Sequence, residues 1–404
     1  MSAGGAQPLP SARPVAVLCA AEVLSMTGFA TWPALLPELE KTWRLSGTES
    51  GAIGGAYFAG YMLAVSWLSG LTDRVDARRV YFLSCILAAL GTLGFALFAG
   101  GVSGAILFQA LAGAGLAGTY MPGLKAMTDR VGGPRQPRYI AFYTSTFGIG
   151  ASLSYALTGA VAARQGWQAA VLVAAAGPIL AGFLALRGLA PVVPSGGGHR
   201  ASIFSQFRVL REPATLGYVA GYAVHCWELF GLRSWIVALL AYSVSIGAGG
   251  EPLAAANAAA LVNLVGIPAS ILGNEVAGRV GRRRFILAVM TASGLLAWVI
   301  GFSLASPWLL LALLFLYNVT IMADSAALTA GLVAAADPTR RGGALAVYSL
   351  FGFGAGFFGP FVFGAVLDFA GGTGAPGAWL AACGSLGLGC LLAPAVVRLA
   401  RRGP

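Results

Sequence analysis

The chain alternates long apolar runs with short polar segments, and this pattern restricts what it can fold into. Runs of about 20 apolar residues are long enough to cross a bilayer as α-helices. We count twelve such runs, numbered here as spans 1 to 12. They fall near 14–37, 50–70, 80–100, 104–127, 139–162, 169–190, 215–242, 253–276, 285–304, 307–334, 343–368 and 377–398. Helices are expected because a backbone inside lipid must satisfy its hydrogen bonds within the segment.

The composition excludes an ordinary soluble protein. Only 10% of the residues are charged and 58% are hydrophobic, whereas a soluble domain has about 25% charged residues. The net charge of +11 lies in short loops between apolar runs, so we expect the lipid bilayer and no nucleic acid as a partner. The five cysteines all lie in apolar spans without CxxC spacing, which favours no metal, no cofactor and no disulfide. The first apolar run is too long for a removable signal peptide, so we expect it to be retained as span 1.

The arginines predict an orientation. If the N-terminus is cytoplasmic, twenty arginines fall in inner segments, against three basic residues in outer loops. Short cytoplasmic loops are rich in Lys and Arg. We therefore expect a prokaryotic plasma-membrane protein with both termini in the cytoplasm.

The chain also divides into two similar halves. Residues 1–190 and 214–404 each hold six spans, and 191–213 form a cytoplasmic linker. In that linker Ile203, Phe204, Phe207 and Leu210 are spaced for a short amphipathic helix on the membrane. SGLTDRVDARRVYFL follows span 2 and NEVAGRVGRRRFIL follows span 8, so an RVxxRR core recurs 205 residues later. Duplicated halves are typical of secondary transporters.

The loop after span 2 resembles motif A of the major facilitator superfamily, G-x-L-A-D-R-x-G-R-K. The matching positions are Leu71, Asp73, Arg74, Arg78 and Arg79, whereas Ser69 and Asp76 replace two motif glycines. The resemblance implies an all-α fold of two pseudo-symmetric six-helix bundles that work by alternating access. It also implies a cytoplasmic latch, for which our candidates are Asp73, Arg74, Arg78, Glu275 and Arg279. Gln109 stands where drug/proton antiporters have an arginine, and span 5 lacks their Gly-Pro pair, so the sequence does not favour that class.

Five ionisable side chains lie deep within the spans. They are Glu22 in span 1, His225, Glu228 and Arg233 in span 7, and Asp324 in span 10, with Gln109 in span 4 and Asn318 in span 10 as neutral company. A charge at bilayer depth costs roughly 2.5 kcal/mol or more, so it usually faces a cavity or a partner. In the family that the chain resembles, spans 1, 4, 7 and 10 line the central cavity.

Helical geometry separates the charges of span 7. His225 and Glu228 are three residues apart and share a face, whereas Arg233 lies about 140° around the helix from Glu228. We therefore expect Arg233 and Glu228 not to neutralise each other. The substrate-binding candidates are Arg233, Gln109, Tyr120 and Asn318, and the proton-coupling candidates are Glu228, Asp324, Glu22 and His225. Permanent salt bridges for the acids, a structural pair for Glu22 and a packing role for His225 stay open.

These observations lead to a hypothesis of proton-coupled uptake of a small organic or inorganic anion by a monomer. The alternative is a proton-coupled exporter of amphipathic or cationic compounds that are attracted by the buried acids. A sensor that does not transport would leave the buried charges without a purpose. An enzyme is not expected, because the chain has no HExxH, no GxSxG and no GxxxxGK[ST] for ATP hydrolysis.

Overall fold

The computed structural model describes residues 12–133, 135–194, 207–337 and 341–399, and within them it contains helices and no strand. The first half consists of span 1, Arg13–Ser25 and Thr31–Trp43; span 2, Gly47–Leu71; span 3, Ala77–Phe98; span 4, Val102–Thr128; and spans 5 and 6, the two arms of Gln136–Gly188. The second half consists of span 7, Pro213–Ile246; span 8, Ala255–Leu264 and Gly266–Val280; span 9, Arg282–Phe302; span 10, Pro307–Ala323 and Ser325–Ala335; span 11, Arg341–Phe369; and span 12, Pro376–Leu399.

The predicted number of spans is confirmed. Ten helical segments of the described chain are long and apolar enough to cross a membrane, and one of them, Arg138–Gly188, has 51 residues. Its direction changes at Gly166, whose φ of +82° suits glycine because it has no Cβ atom. This segment therefore counts as two spans, 5 and 6, and the shorter apolar helix of span 12 is added to the ten segments. The described chain thus has twelve spans.

Local sequence determines where several helices begin. Span 2 starts with a capping box, in which Ser46 and Glu49 hydrogen-bond to each other's backbone N–H. Asp76 caps span 3 by accepting from the N–H of Arg78. Spans 7 and 10 start with Pro213 and Pro307, at positions where a helix needs no N–H donor.

The loops lie on two sides of the bundle. We define the arginine-rich side by the described segments 72–76, 129–133, 189–194, 207–212, 281 and 336–337, and the opposite side by 44–46, 99–101, 166, 247–254, 303–306 and 370–375. Both described chain ends lie on the arginine-rich side, because each half has an even number of spans.

The buried core shows how the two halves meet. One large cluster draws residues from both halves, including Trp32, Tyr61, Trp235 and Phe363, and lies mainly towards the opposite side. Towards the arginine-rich side the clusters are separate. One contains only first-half residues, such as Tyr81 and Tyr143, and the other only second-half residues, such as Val219, Met290 and Tyr348. The halves are thus joined on the opposite side and parted on the arginine-rich side.

The described end of the linker packs against the second half. Phe207–Arg211 forms a 3-10 helix, and Phe207, Val209 and Leu210 contact the second-half cluster. The hydroxyl of Thr215 donates to the carbonyl of Val209, which holds this helix to span 7. Ile203 and Phe204 of the predicted amphipathic helix lie outside the described residues.

Candidate functional site

Arg233 lies where span 7 meets the first half. Its side chain is only 4% exposed. The guanidinium Nε donates to Oδ1 of Asn263 in span 8 at 2.6 Å, and the Asn263 amide is oriented by its own bond to the carbonyl of Ala259 at 2.9 Å. The hydroxyl of Tyr155 in span 5 donates to the backbone carbonyl of Arg233 across the boundary between the halves.

Two aromatic rings flank the guanidinium. The Cζ atom of Arg233 lies 5.7 Å from the centroid of Phe147 in span 5 and 5.9 Å from that of Phe230 in span 7. A cation within about 6 Å of a ring centroid is attracted to the ring face. One ring belongs to each half, so Arg233 contacts both halves at once.

No carboxylate neutralises Arg233. Among the described residues none lies within 4.0 Å of its guanidinium, and its single side-chain hydrogen bond goes to a neutral amide. A buried charge without a counterion is costly. The arrangement is therefore suited to receive an anion.

Glu228 faces the interior of the second half. Its Oε1 accepts from the hydroxyl of Ser293 in span 9 at 2.9 Å, and its Oε2 accepts from the thiol of Cys390 in span 12 at 3.1 Å. It does not pair with Arg233, in agreement with the helical spacing. The sequence could not identify these two partners, since neither residue is charged.

His225 and Asp324 form a buried pair between spans 7 and 10. His225 Nδ1 lies 2.7 Å from Asp324 Oδ1, although the N–H is not directed along the line between the two atoms. Asp324 occupies the break between Pro307–Ala323 and Ser325–Ala335. The ring of Tyr222 stacks on His225 at 5.7 Å and on Tyr348 of span 11 at 3.8 Å.

Glu22 is enclosed within the first half and is fully buried. Its Oε2 accepts from the hydroxyls of Tyr143 at 3.0 Å and Tyr81 at 3.3 Å. Its Oε1 has no hydrogen-bond partner among the described residues. Two tyrosine donors on spans 3 and 5 therefore tie this acid to its own half.

The three neutral candidates occupy different surroundings. Tyr120 is half-buried, and its ring packs edge-on against Phe147 at 5.4 Å, which places it beside the Arg233 region. Asn318 donates from Nδ2 to the carbonyl of Val262 at 2.6 Å and so ties span 10 to span 8 next to Asn263. Gln109 is buried at 4% exposure and contacts none of these groups through a described hydrogen bond.

Three residues of this region are additions to the predicted set. Asn263 is an amide inside an apolar span and meets the depth criterion that selected Asn318. Tyr155 and Phe147 had no signal of their own, because aromatic residues occur in every span. Only the folded arrangement brings them to Arg233.

A second polar cluster lies on the arginine-rich side of the first half, with Asp76 at its centre. One carboxylate oxygen contacts Nη2 of Arg130 at 2.9 Å, and the other contacts Nε of Arg78 at 3.0 Å and the N–H of Val192 at 2.9 Å. Both guanidinium groups also donate to carbonyls at the end of span 6, including Leu189 and Ala190. Burial alone would raise the pKa of Asp76, but the hydrogen bonds from Val192, Arg78 and Arg130 outweigh it and hold the pKa below its ordinary value.

The other latch candidates are not part of this cluster. Asp73, Arg74, Glu275 and Arg279 are exposed and form no ion pair with a described residue. Of the predicted latch residues only Arg78 is engaged, and its acid is Asp76, which occupies a motif-glycine position. The whole cluster stays within the first half.

The described residues include no group of three or more His, Cys, Asp or Glu side chains that could hold a metal ion. All five cysteines are free thiols, and four of them are buried.

Twelve membrane-crossing helices in two halves, with polar groups enclosed near their boundary, define a polytopic membrane protein of the two-bundle transporter class. Residues 17–256 match the sequence profile of the Major Facilitator Superfamily, which is more than half of the chain. The chain belongs to this superfamily, and the predicted family and fold are confirmed.

Related proteins agree with this assignment. The niacin transporter NiaP of Acinetobacter baylyi is 26% identical over 139 residues, which is 34% of this chain and 31% of that transporter's length. A bacterial homologue of the human lysosomal transporter Spinster, in an inward-facing and unoccupied conformation, superposes with a TM-score of 0.79 at 17% identity over 98% of each chain. The inward-facing and occupied structure of such a homologue superposes with a TM-score of 0.79 at 16% identity, again over 98% of each chain. These two structures share the fold of this chain.

Proposed function

We propose that the protein is a secondary active transporter that takes up a small organic or inorganic anion by alternating access, coupled to protons. Arg233 supplies the contact for the anion. The observation that carries this proposal is a buried guanidinium at the boundary between the halves with no carboxylate partner among the described residues. An anion bound there touches both halves, so binding is linked to their relative movement.

The relative with a named substrate supports an anion. Niacin is a carboxylic acid that carries a negative charge at neutral pH, and its transporter shares 26% identity with part of this chain. The shared stretch covers 31% of that protein, so we carry over the charge of the substrate and not its identity.

The proposed coupling groups form no described hydrogen bond or ion pair with Arg233. Asp324 with His225, and Glu228 with Ser293 and Cys390, are enclosed within the second half. A buried carboxyl that gains or loses a proton changes its hydrogen bonds, and through them the packing of spans 7, 9, 10 and 12. Glu22 is the corresponding group of the first half, held by Tyr81 and Tyr143.

The proposed orientation places the arginine-rich side in the cytoplasm of a prokaryotic cell. The basic loops support it, because cytoplasmic loops retain Lys and Arg. In this orientation the separated cores describe an inward-facing state. The protein works as a monomer, with one site between its own halves.

The latch proposal keeps the predicted residues in two roles. Asp76 with Arg78 and Arg130 braces the first half in the inward-facing state. Asp73, Arg74, Glu275 and Arg279 are exposed on the two parted halves. We propose that these four meet across the boundary when the arginine-rich side closes, where charged hydrogen bonds form and release.

A thermal-shift screen on purified protein tests the sign of the substrate. Ligand binding stabilises the folded state by RT ln(1 + [L]/Kd), which is about 2.7 kcal/mol at 100 times Kd. We expect a small anion such as benzoate to stabilise the wild type and Arg164→Gln, which removes an exposed arginine, but not Arg233→Gln. Stabilisation by benzylammonium and by no anion would contradict the proposal and favour the exporter of cationic compounds.

A further inference from the structure

The surroundings of Arg233 indicate more than the sign of the ligand charge. We infer that the site takes an organic monoanion with one carboxylate and a flat apolar body, an inference that rests on the proposed function. This inference excludes inorganic phosphate, dicarboxylates and sugar acids as good ligands.

The first step is the charge count. Among the described residues the buried charged side chains are Glu22, His225, Glu228, Arg233 and Asp324. Arg233 is the one fixed cation in this set, since His225 is already against Asp324. A second negative charge on the ligand would therefore enter a dry region without a counterion, which is strongly unfavourable.

The second step is the geometry of the donors. The Nε–H of Arg233 is used by Asn263, and neither terminal nitrogen hydrogen-bonds to a described residue. The two terminal nitrogens form a planar fork that matches the two oxygens of one carboxylate. Asn263 is thus a positioning residue, because it sets the plane in which the fork lies.

The third step is the wall around the fork. Phe147 contacts Phe29 at 5.4 Å, and Phe230 contacts Phe58 at 4.1 Å and Phe353 at 5.6 Å between ring centroids. Such a wall offers ring faces and edges with few hydrogen-bond partners, so a polar ligand body would lose its hydration without replacement. A flat apolar ring gains stacking or edge contacts instead.

The approach to this wall comes from the parted side. Phe147 and Tyr120 are half-buried, whereas Phe29, Phe58 and Phe230 are buried. Phe147 and Tyr120 also pack edge-on against each other, with ring centroids 5.4 Å apart. These two rings therefore receive the ligand body first, and Phe147 is the residue whose loss should affect flat ligands most.

The test is a set of equilibrium titrations on the purified full-length protein at pH 7.5, with benzoate, cyclohexanecarboxylate, terephthalate, phosphate and benzylammonium as probes. We expect benzoate to bind most tightly and terephthalate and phosphate at least roughly 10-fold more weakly, since each carries an uncompensated charge. Cyclohexanecarboxylate should bind roughly 2- to 10-fold more weakly than benzoate, because it lacks the ring face. Phe147→Leu should remove this preference, and Phe183→Leu, on an exposed face of span 6, should keep it.

The outcomes separate this inference from the function on which it rests. If terephthalate or phosphate binds as well as benzoate, the monoanion inference is wrong while anion uptake stands. If cyclohexanecarboxylate binds as tightly as benzoate, the inference that the site prefers a flat ligand body is wrong. If benzylammonium binds and no anion does, or if no anion binds at all, both the inference and the proposed function fail.

A different observation concerns the side on which the halves are joined. Asp368, in the last turn of span 11, accepts from the N–H of Gly47 at 2.8 Å, the N–H of Thr48 at 2.8 Å and the Thr48 hydroxyl at 2.6 Å. These donors form the first turn of span 2, where the helix dipole favours a negative charge. A carboxylate of one half thus caps a helix of the other half.

Close backbone packing continues below this cap. A Cβ atom on Gly47, Gly51 or Gly55 would overlap the carbonyls of Gly364, Pro360 and Phe357. The three glycines are four residues apart and line one face of span 2, which lets its backbone lie directly against span 11. We propose that Asp368 is the lock of the opposite side and that it must leave span 2 when that side opens.

Distance measurements between spin labels at Thr42 and Ala248, one in each half on the opposite side, test this lock. Asp368→Asn removes the charge and places an amide N–H donor opposite the N–H donors of span 2. We therefore expect the population with a longer distance between the two labels to grow. Glu49→Gln is the matched control, because Glu49 caps the same turn from within span 2 and does not reach span 11. Unchanged distances in folded Asp368→Asn would overturn the proposal. If that variant does not fold, Asp368→Glu, which shifts the charge by one methylene, should give the same growth, and its absence would likewise overturn it.

Discussion

The buried charges of this protein fall into two groups that differ in what satisfies them. Glu22, Glu228 and Asp324 each contact donors within their own half. Arg233 contacts both halves, has one neutral hydrogen-bond partner and lies between two rings. Each acid contacts at least one polar group of its own half, whereas the arginine has no carboxylate partner among the described residues. The comparison supports our proposal that the acids couple transport to protons and that Arg233 recognises the anion.

The largest expected effect is on Arg233 itself. Arg233→Lys keeps the charge but cannot form the planar fork or the bond from Nε to Asn263. We expect the dissociation constant of the anion to rise roughly 10- to 100-fold, the range for losing a charged hydrogen-bond pair. Titration of the purified variant measures it. An affinity equal to that of the wild type would mean that a point charge suffices and that the fork has no role.

The next effect separates the two acids of the second half. Glu228→Gln and Asp324→Asn imitate the protonated carboxyl, so the variant at the coupling site should still exchange substrate but fail to accumulate it. For one proton per anion the loss is about tenfold in accumulation per unit of pH gradient. Uptake into proteoliposomes with and without a pH gradient measures it. If both variants accumulate substrate normally, the acids of the second half do not carry the proton.

Glu22 provides the contrast within the first half. Glu22→Gln keeps an oxygen for Tyr143 and Tyr81 but removes the charge. If its role is structural, we expect a loss of about 1 kcal/mol in the free energy of unfolding, typical of one weakened hydrogen bond, with normal accumulation. Thermal unfolding and uptake are measured on the same preparation. Lost accumulation with unchanged stability would instead move the coupling site to the first half.

The smallest effect should come from the loop after span 2. Asp76→Asn weakens the contacts to Arg78 and Arg130, whereas Asp73→Asn changes an exposed residue and serves as the control. We expect Asp76→Asn to lower the unfolding temperature of the inward-facing form by a few degrees and Asp73→Asn to leave it unchanged. If Asp73→Asn lowers the unfolding temperature more than Asp76→Asn does, then Asp73 and not Asp76 stabilises this loop.

The pH dependence of Asp76 has a definite sign. Its pKa is held below the ordinary value, which is about 3.9 for an aspartate. Its contribution to stability is therefore complete above that value and is lost as the pH falls through the lower folded pKa. Asp76 stays charged in the physiological range and cannot be the group that responds to the proton gradient. Melting curves between pH 5 and 8, where Asp76→Asn should shift them by a constant amount, check this.

The fold followed from the sequence to a large degree, because apolar length and arginine spacing are dictated by the bilayer. The breaks within spans 1, 8 and 10 were not predicted, since the apolar pattern continues through them. Asp324 lies at one of these breaks, and its pairing with His225 depends on the approach of two spans that are distant in sequence.

The candidate site was predictable only in part. Depth within the spans identified Arg233 and the acids, and helical spacing separated Arg233 from Glu228. The motif match selected Asp73, whereas the folded loop uses Asp76 because that residue caps span 3 and faces Arg130. The corresponding position of the second half is Gly281, with a φ of +96° and no side chain, so the repeated motif does not repeat the contact.

The most direct test of the central claim is the transport of a labelled anion by Arg233→Ala in proteoliposomes without a pH gradient. Exchange under these conditions needs recognition and movement of the halves but no energy coupling. Loss of recognition should reduce it at least roughly 100-fold, while Arg164→Ala and Glu228→Gln keep it. Normal exchange by Arg233→Ala would contradict the claim that this arginine is the anion contact.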